Sequence, residues 1–314
     1  MTSPVGTCSA DSRALDEPLS GTASFAKAVV VIEQSGPWGR EALTQSHLDA
    51  GVAAELARRV DGLPVKIFLA RASGRHADIH VVPPTQRVWA AVVHPAPPRW
   101  TSWTISDPTA LRDLDLSALA AGVLPSGDGH QAPPATMFVC SNSKRDVCCA
   151  REGRELAAEL AADPIWRDRV WEISHLGGHR FAPTALVLPL GVVYGRLDVV
   201  SAWACLAAAE IGEILAEHQR GLMGLDPVAQ AADIAVRERS GVHRADGVQV
   251  VEVLAGARGG ELDGWSVTAT TADSTRWSVV VTQERGPDRR ESCAKLAVPM
   301  TYYRAVILDH AAIA

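Results

Sequence analysis

Two stretches of the chain decide its fold: residues 135–149, ATMFVCSNSKRDVCC, and residues 170–179, VWEISHLGGH. Each starts with a largely apolar run typical of a buried strand, which passes directly into a polar or glycine-containing loop. Residues 151–162, between them, are rich in Ala, Leu and Glu and predict a helix. The strand ends and loops carry five potential metal ligands: Cys140, Cys148, Cys149, His175 and His179. The pattern therefore indicates an α/β unit that presents thiols and imidazoles from loops.

The same order of elements is predicted twice along the chain. The second unit continues with a strand pair at 184–188 and 192–196 and a helix at 199–218. The upstream unit has apolar strand patterns and one helical pattern, namely strands 27–33, 65–70, 79–82 and 87–93 and helix 48–60. Both read strand, loop, helix, strand, loop, strand pair, which is the connectivity of a thioredoxin-like layer. We expect two diverged copies of this α/β unit.

A Pro- and Gly-rich stretch at 126–134 predicts the boundary between the two units. The expected domains are an N-terminal α/β unit at 1–125, a thioredoxin-like domain at 135–240 and a β-rich C-terminal region at 241–314. One helix at 228–238 precedes four strands of the last region, at 248–254, 265–270, 277–283 and 303–308. Its Gly-rich segment 256–264 leads to a strand instead of a helix, so we interpret it as a turn and not as a dinucleotide site.

Composition and charge narrow the class of protein. The 314 residues suffice for two compact domains of roughly 100 to 200 residues each. A net charge of −6 offers no basic surface for nucleic acid. The first 21 residues lack the pattern of a secretory signal, and no stretch reaches the roughly 18 apolar residues of a membrane span. We therefore expect a cytoplasmic protein without membrane partners, whose six cysteines are thiols or metal ligands.

The two loops can supply a metal with two thiols, from Cys140 and Cys149, and two imidazoles, from His175 and His179. Thiolate and imidazole suit zinc or an iron–sulfur centre, and two histidines replace two cysteines on one iron of Rieske [2Fe-2S] clusters. Structural zinc sites typically use C-x₂₋₄-C pairs, whereas eight residues separate Cys140 from Cys149. The wide spacing favours iron–sulfur over zinc.

Several further motifs accompany the ligand loops. They are Arg145-Asp146 inside the first loop, HLGGHRFA at 175–182, CSADSR at 8–13, EPLSGTA at 17–23 and GPWG at 36–39. Together, over about residues 8 to 235, they resemble the sucrase/ferredoxin-like family of thioredoxin-like [2Fe-2S] proteins. The resemblance implies that Cys140, Cys149, His175 and His179 bind the cluster, with Cys148 as the alternative to its neighbour. Nothing supports a sucrase, since no carboxylate pair stands out as acid and nucleophile.

The function expected from these residues is one-electron transfer, coupled to proton uptake through the histidine ligands. No nucleotide or flavin motif is present, so a flavin-dependent or other reductase would donate the electron, and another protein would accept it. We expect a carrier and not a stand-alone enzyme. Two alternatives remain open: a thiol–disulfide oxidoreductase with Cys148 or Cys149 as nucleophile, and a structural Cys₂His₂ zinc protein. For Cys8, Cys205 and Cys293 a structural role is favoured, with redox sensing as an option for Cys8.

Overall fold

The computed structural model of the protein describes residues 6–74, 83–94, 97–256 and 264–312. Within these residues the larger of two sheets has nine strands. They are β1 (Ala28–Glu33), β2 (Val65–Arg71), β3 (Gln86–Val92), β4 (Arg99–Ile105), β5 (Thr136–Cys140), β6 (Val170–Ile173), β7 (Ala185–Leu188), β8 (Val192–Tyr194) and β9 (Gln219–Leu222). Their spatial order is β4-β3-β1-β2-β6-β5-β7-β8-β9.

The described residues form six α-helices, and four of them begin directly after an aspartate. Those described are α1 (Cys8–Ala14), α2 (Ala50–Val60), α3 (Leu116–Ala120), α4 (Arg154–Ala162), α5 (Val199–Glu210) and α6 (Pro227–Ser240). The side chains of Asp49, Asp115, Asp198 and Asp226 accept hydrogen bonds from backbone N–H groups in the first turn of their helices. Such caps satisfy donors that have no partner inside the helix and so determine where the helix starts.

The two halves of the large sheet have the same topology. In the first half β1 is parallel to β2, β3 is antiparallel to β1, and β4 is antiparallel to β3. In the second half β5, β6, β7 and β8 have the same relations in the same chain order. The crossover between each parallel pair contains a helix, α2 or α4. The central strands β1 and β5 are buried along most of their length, as their apolar sequences predict.

A buried ion pair lies where the two halves meet. Strands β2 and β6 are antiparallel there, with Arg71 opposite Glu172. Both Nε and Nη2 of Arg71 donate to Oε2 of Glu172, at 3.0 and 2.9 Å. The same oxygen accepts a hydrogen bond of 2.7 Å from Ser141, the residue after Cys140. The junction is therefore connected directly to the loop that carries the thiols.

The smaller sheet is antiparallel and follows the chain order: β10 (Val248–Ala255), β11 (Gly264–Thr271), β12 (Thr275–Arg290) and β13 (Ala297–Ala312). Its apolar face packs on α6 through residues such as Val228, Val236 and Trp277. The long β12–β13 hairpin extends to α1, where Arg290 forms an ion pair of 2.7 Å with Asp11. The C-terminal region is therefore in contact with the N-terminal helix.

The mixed α/β class and the separate β-rich piece at the C-terminus are confirmed, but several predicted elements were wrong or incomplete. Strand β4 was not predicted, because its alternating RWTSWTI pattern is surrounded by Pro and Gly. The predicted helix 199–218 ends at Glu210, after which β9 forms. Helix α1 was not predicted either. The predicted strand 79–82 and most of the turn 256–264 lie outside the described residues.

Candidate metal centre

Cys140 and Cys149 are held side by side by a close backbone approach. Cys140 ends β5, and Cys149 begins a π-helical turn, Cys149–Gly153, that continues into α4. A β-carbon at Gly153 would collide with the carbonyl oxygen of Cys140, so only glycine allows the turn to pack against the strand end. Both thiols are 1% exposed. The sequence therefore places two buried sulfurs together although eight residues separate them.

The histidine loop follows β6, the strand next to β5. Gly177 and Gly178 adopt left-handed conformations, with φ of 83° and 71°, which let the chain turn back sharply. The rings of His175 and His179 consequently stack, with centroids 4.6 Å apart and planes 16° from parallel. Both side chains are half-buried, whereas Leu176 between them is buried.

The four residues predicted to be ligands come together in one place. The Sγ atom of Cys149 lies 3.9 Å from Nδ1 of His179. Cys140 is in hydrogen-bonding range of Cys149, His175 acts on it electrostatically, and its Sγ lies 3.2 Å from the carbonyl oxygen of Ser174. Among the described residues, the buried Nδ1 atom of His175 has no hydrogen-bond partner. A buried nitrogen without a partner beside two thiols is suited to be a metal ligand.

The protonation states also suit metal ligation. The hydrogen bond from Cys149 holds the pKa of Cys140 well below its usual value, and the same contact together with burial raises the pKa of Cys149. Their contact therefore favours a thiolate on Cys140 over one on Cys149. Burial, with the neighbouring His175, lowers the pKa of His179 to about 4. Its imidazole is therefore neutral at pH 7 and has a lone pair available for a metal.

A buried arginine, which the sequence analysis did not identify, supports this site. Arg220 on β9 donates to the Gly177 carbonyl at 2.9 Å and to the Thr184 hydroxyl at 3.0 Å. A β-carbon at Gly178 would collide with its guanidinium. Burial lowers the pKa of Arg220 to about 9, while the charges of Cys140 and Cys149 act in the opposite direction. At pH 7 a buried positive charge therefore lies under the histidine loop and near the thiol pair.

Cys148 faces away from this site, although it is adjacent to Cys149. Its Sγ lies 3.5 Å from that of Cys8 and 3.3 Å from that of Cys293, and Asp146 completes the group. The sequence analysis favoured a structural role for Cys8 and Cys293 and did not connect them. The one hint of a second thiol site in the sequence was the Cys148-Cys149 dipeptide, because adjacent side chains leave the backbone in different directions. Cys205 is buried in α5, as predicted for a small apolar side chain.

Two charged residues near the site have partners that local sequence does not reveal. Arg145 does not pair with its neighbour Asp146 but with Glu41, at 2.8 Å. Arg180, next to His179, pairs with the buried carboxylate of Glu17, which also accepts a hydrogen bond of 2.9 Å from Arg289. The histidine loop is thus tied through Glu17 to the β12–β13 hairpin.

The protein thus combines a mixed α/β fold with a Cys₂His₂ donor group that lies near the ends of the adjacent strands β5 and β6. These two features are the basis for comparing it with known proteins. A family model described as sucrase/ferredoxin-like matches residues 19–221. The chain therefore belongs to the sucrase/ferredoxin-like family. No curated protein and no solved structure matches it significantly. Among the described helices, none is long and apolar enough to cross a membrane.

Proposed function

We propose that the protein is a one-electron carrier that holds a [2Fe-2S] cluster through Cys140, Cys149, His175 and His179. The proposal rests on one observation: two buried thiols converge with two stacked imidazoles, one of which has a buried Nδ1 without a hydrogen-bond partner. This donor set corresponds to [2Fe-2S] centres in which two histidines replace two cysteines. When bound, the cluster would gain and lose one electron at a higher potential than an all-cysteine site.

The chain's own residues would control water and protons at this site. Cys140, Cys149 and Leu176 are buried and exclude water from the inner side. The half-buried histidine rings form the outer side, where a protein partner could approach. Because Nδ1 of His179 faces Cys149 and Nδ1 of His175 is buried, we assign the ligand role to Nδ1 and proton exchange to Nε2 of each ring. The proposal therefore includes electron transfer coupled to proton uptake at Nε2.

The thioredoxin-like fold belongs to the same proposal. In each half of the large sheet a parallel strand pair with a helical crossover is followed by two antiparallel strands, which is the order we assign to a thioredoxin-like layer. We also propose that the partners are a flavin-dependent or other reductase as donor and a separate acceptor protein. A reducing cytoplasm would keep the six free cysteines as thiols.

Metal analysis and spectroscopy of the anaerobically purified protein test the proposal. We expect two irons and two acid-labile sulfides per chain, visible absorption, and an electron paramagnetic resonance signal after one-electron reduction. Zinc in the Cys₂His₂ site without iron would instead support the structural alternative. Absence of metal from that site, with a reversible disulfide between Cys140 and Cys149, would support a thiol–disulfide oxidoreductase.

Adjacent cysteines provide a matched pair of variants. Because Cys149 faces His179 and Cys148 does not, Cys149→Ser should lose iron and colour, whereas Cys148→Ser should keep both. Cys140→Ser, His175→Ala and His179→Ala should also lose or strongly alter the spectrum, and Cys205→Ser should not. The reverse result for the adjacent pair would move the ligand to Cys148.

A further inference from the structure

Three thiols and one carboxylate form a second group, distinct from the Cys₂His₂ site. The Sγ atoms of Cys8, Cys148 and Cys293 are mutually 3.3 to 3.6 Å apart. An oxygen of Asp146 lies 3.7 Å from Sγ of Cys8, and all four ligand atoms lie within 4.8 Å of one another. We call these four residues the three-thiol group. Its members are buried except Cys293, which is partly exposed and leaves access from solvent.

The group joins three distant parts of the chain. Cys8 begins α1, Cys148 precedes the predicted cluster ligand Cys149, and Cys293 lies in the turn between β12 and β13. Contacts that do not involve sulfur keep these parts in place. The Arg290–Asp11 ion pair connects the hairpin to α1, and Asp146 accepts hydrogen bonds from the Ser292 hydroxyl and the Cys293 N–H at 2.9 and 2.8 Å. The sulfurs are therefore preorganised, which lowers the cost of binding an ion.

Hydrogen-bond donors are aimed at two of the sulfurs. The Cys8 N–H donates to Sγ of Cys293 at 3.4 Å, and the backbone N–H of Ser9 donates to Sγ of Cys148. Donors of this kind stabilise thiolates and orient metal ligands from the surrounding shell. Arg290 is also within electrostatic range of Cys8 and Cys293, so that it would offset the negative charge of thiolates.

Asp146 has one oxygen available as a fourth ligand. Its Oδ2 is occupied by Ser292 and Cys293, but Oδ1 accepts one backbone hydrogen bond, from Cys148 at 2.9 Å, and one from the Cys8 thiol. Loss of the Cys8 proton would free a lone pair on Oδ1, because a carboxylate oxygen can accept two bonds. The group thus offers three sulfurs and one oxygen.

We propose that the three-thiol group binds a zinc ion through Cys8, Cys148 and Cys293, with Asp146 as the fourth ligand. Tetrahedral zinc with Zn–S bonds of about 2.3 Å has sulfurs about 3.8 Å apart, so the observed spacing needs to widen by only a few tenths of an ångström. Soft thiolates favour zinc over harder divalent ions. The ion would tie α1 and the β12–β13 hairpin to the loop that holds Cys149, and would stabilise that loop.

Zinc content and X-ray absorption at the zinc edge test the proposal on the wild-type chain, and the edge is specific for zinc even when iron is present. After incubation with one equivalent of zinc and desalting, we expect one zinc per chain, with three sulfurs at about 2.3 Å and no imidazole scattering. Zinc that is not retained, zinc with imidazole ligands, or a disulfide within the group in anaerobically purified protein would each overturn the proposal.

Substitutions separate this site from the Cys₂His₂ site. Cys8→Ser and Cys293→Ser should each weaken zinc binding by more than about 100-fold but keep iron, and Asp146→Asn should weaken it by about 10- to 100-fold. Cys149→Ser should lose iron and keep zinc, and Cys205→Ser, a buried cysteine elsewhere, should keep both. Full zinc retention in Cys293→Ser would refute the assignment. Since iron and zinc are measured separately, failure of one proposal does not imply failure of the other.

Discussion

At the scale of single residues, Arg220 is a buried charged group that contacts the histidine loop of the proposed cluster site. It is fully buried, fixes the histidine loop through the Gly177 carbonyl, and interacts electrostatically with Cys140 and Cys149. A buried positive charge interacts strongly with nearby charges because the protein interior screens them weakly. Arg220 should therefore favour the reduced state of a neighbouring redox centre.

Replacing Arg220 by Gln should lower the midpoint potential of the proposed centre. The lost charge no longer stabilises an added electron, and we expect a shift on the order of 60 mV, equivalent to about 1.4 kcal/mol for one electron. Arg220→Lys, which keeps the charge, should shift the potential less. A redox titration followed by visible absorbance measures both, and an unchanged potential in the Gln variant with full iron content would contradict this role.

The histidines predict a dependence of the potential on pH. An added electron should make each ligand imidazole hold its Nε2 proton more tightly, so reduction takes up a proton and the potential falls as pH rises. One proton per electron corresponds to about 59 mV per pH unit above the oxidised-state pKa. Redox titrations between about pH 6 and pH 9 bracket the ordinary histidine pKa of about 6.5. His175→Cys or His179→Cys should lower the potential and weaken the slope, and a flat profile in the wild type would argue against proton coupling.

At the scale of elements, the histidine loop depends on two glycines for different reasons. Both have positive φ, but a β-carbon would meet nothing within 4 Å at Gly177 and would collide with Arg220 at Gly178. The loop thus contains its own matched control. Gly177 requires glycine only for its backbone conformation, whereas Gly178 also requires it for space.

Gly178→Ala should therefore be more damaging than Gly177→Ala. The Gly177 variant should cost about 1 to 2 kcal/mol of unfolding free energy, from left-handed strain alone. The Gly178 variant adds displacement of Arg220 and of the loop, so that it should also reduce iron content. Urea unfolding and iron analysis of both variants measure the difference. Equal effects of the two substitutions would mean that the contact with Arg220 does not constrain the loop.

At the scale of the whole molecule, the Arg71–Glu172 pair joins the two halves of the large sheet. Both side chains are almost completely buried, and the ladder between β2 and β6 is short, with Ala70 opposite Ile173 and Arg71 opposite Glu172. A buried charge without its partner is costly. The pair should therefore link the stability of the two halves.

Glu172→Gln should destabilise the protein by about 3 to 5 kcal/mol, because Arg71 would keep its charge in the interior without a carboxylate partner. Asp246→Asn, which breaks the exposed Arg244–Asp246 pair, should cost less than about 1 kcal/mol. Urea denaturation compares them. An effect of Glu172→Gln as small as that of the surface control would show that the junction does not depend on this pair.

The elements with the strongest local signals were the ones that the sequence predicted well. The apolar runs of β1, β5 and β7 and the periodic helices α2, α4 and α6 are close to their expected positions. Strand β4 was missed because its Trp and Thr residues alternate within a Pro- and Gly-rich stretch, and β9 was missed because it is short and follows an Ala-rich helix. Pairing with β3 and β8 stabilises these strands, and such partners cannot be recognised from local pattern alone.

The sequence by itself determined the α/β class, and it predicted Cys140, Cys149, His175 and His179 as one set of ligands because these residues lie in two short motifs that follow strands. Only the tertiary structure decided that Cys149 and Cys148 face opposite sites, because side-chain direction depends on the π-helical turn that Gly153 allows. It also decided the joining of the two halves through Arg71 and Glu172. The three-thiol group could be recognised only from the tertiary structure, because Cys8 and Cys293 are 285 positions apart and meet only through the packing of the C-terminal hairpin on α1.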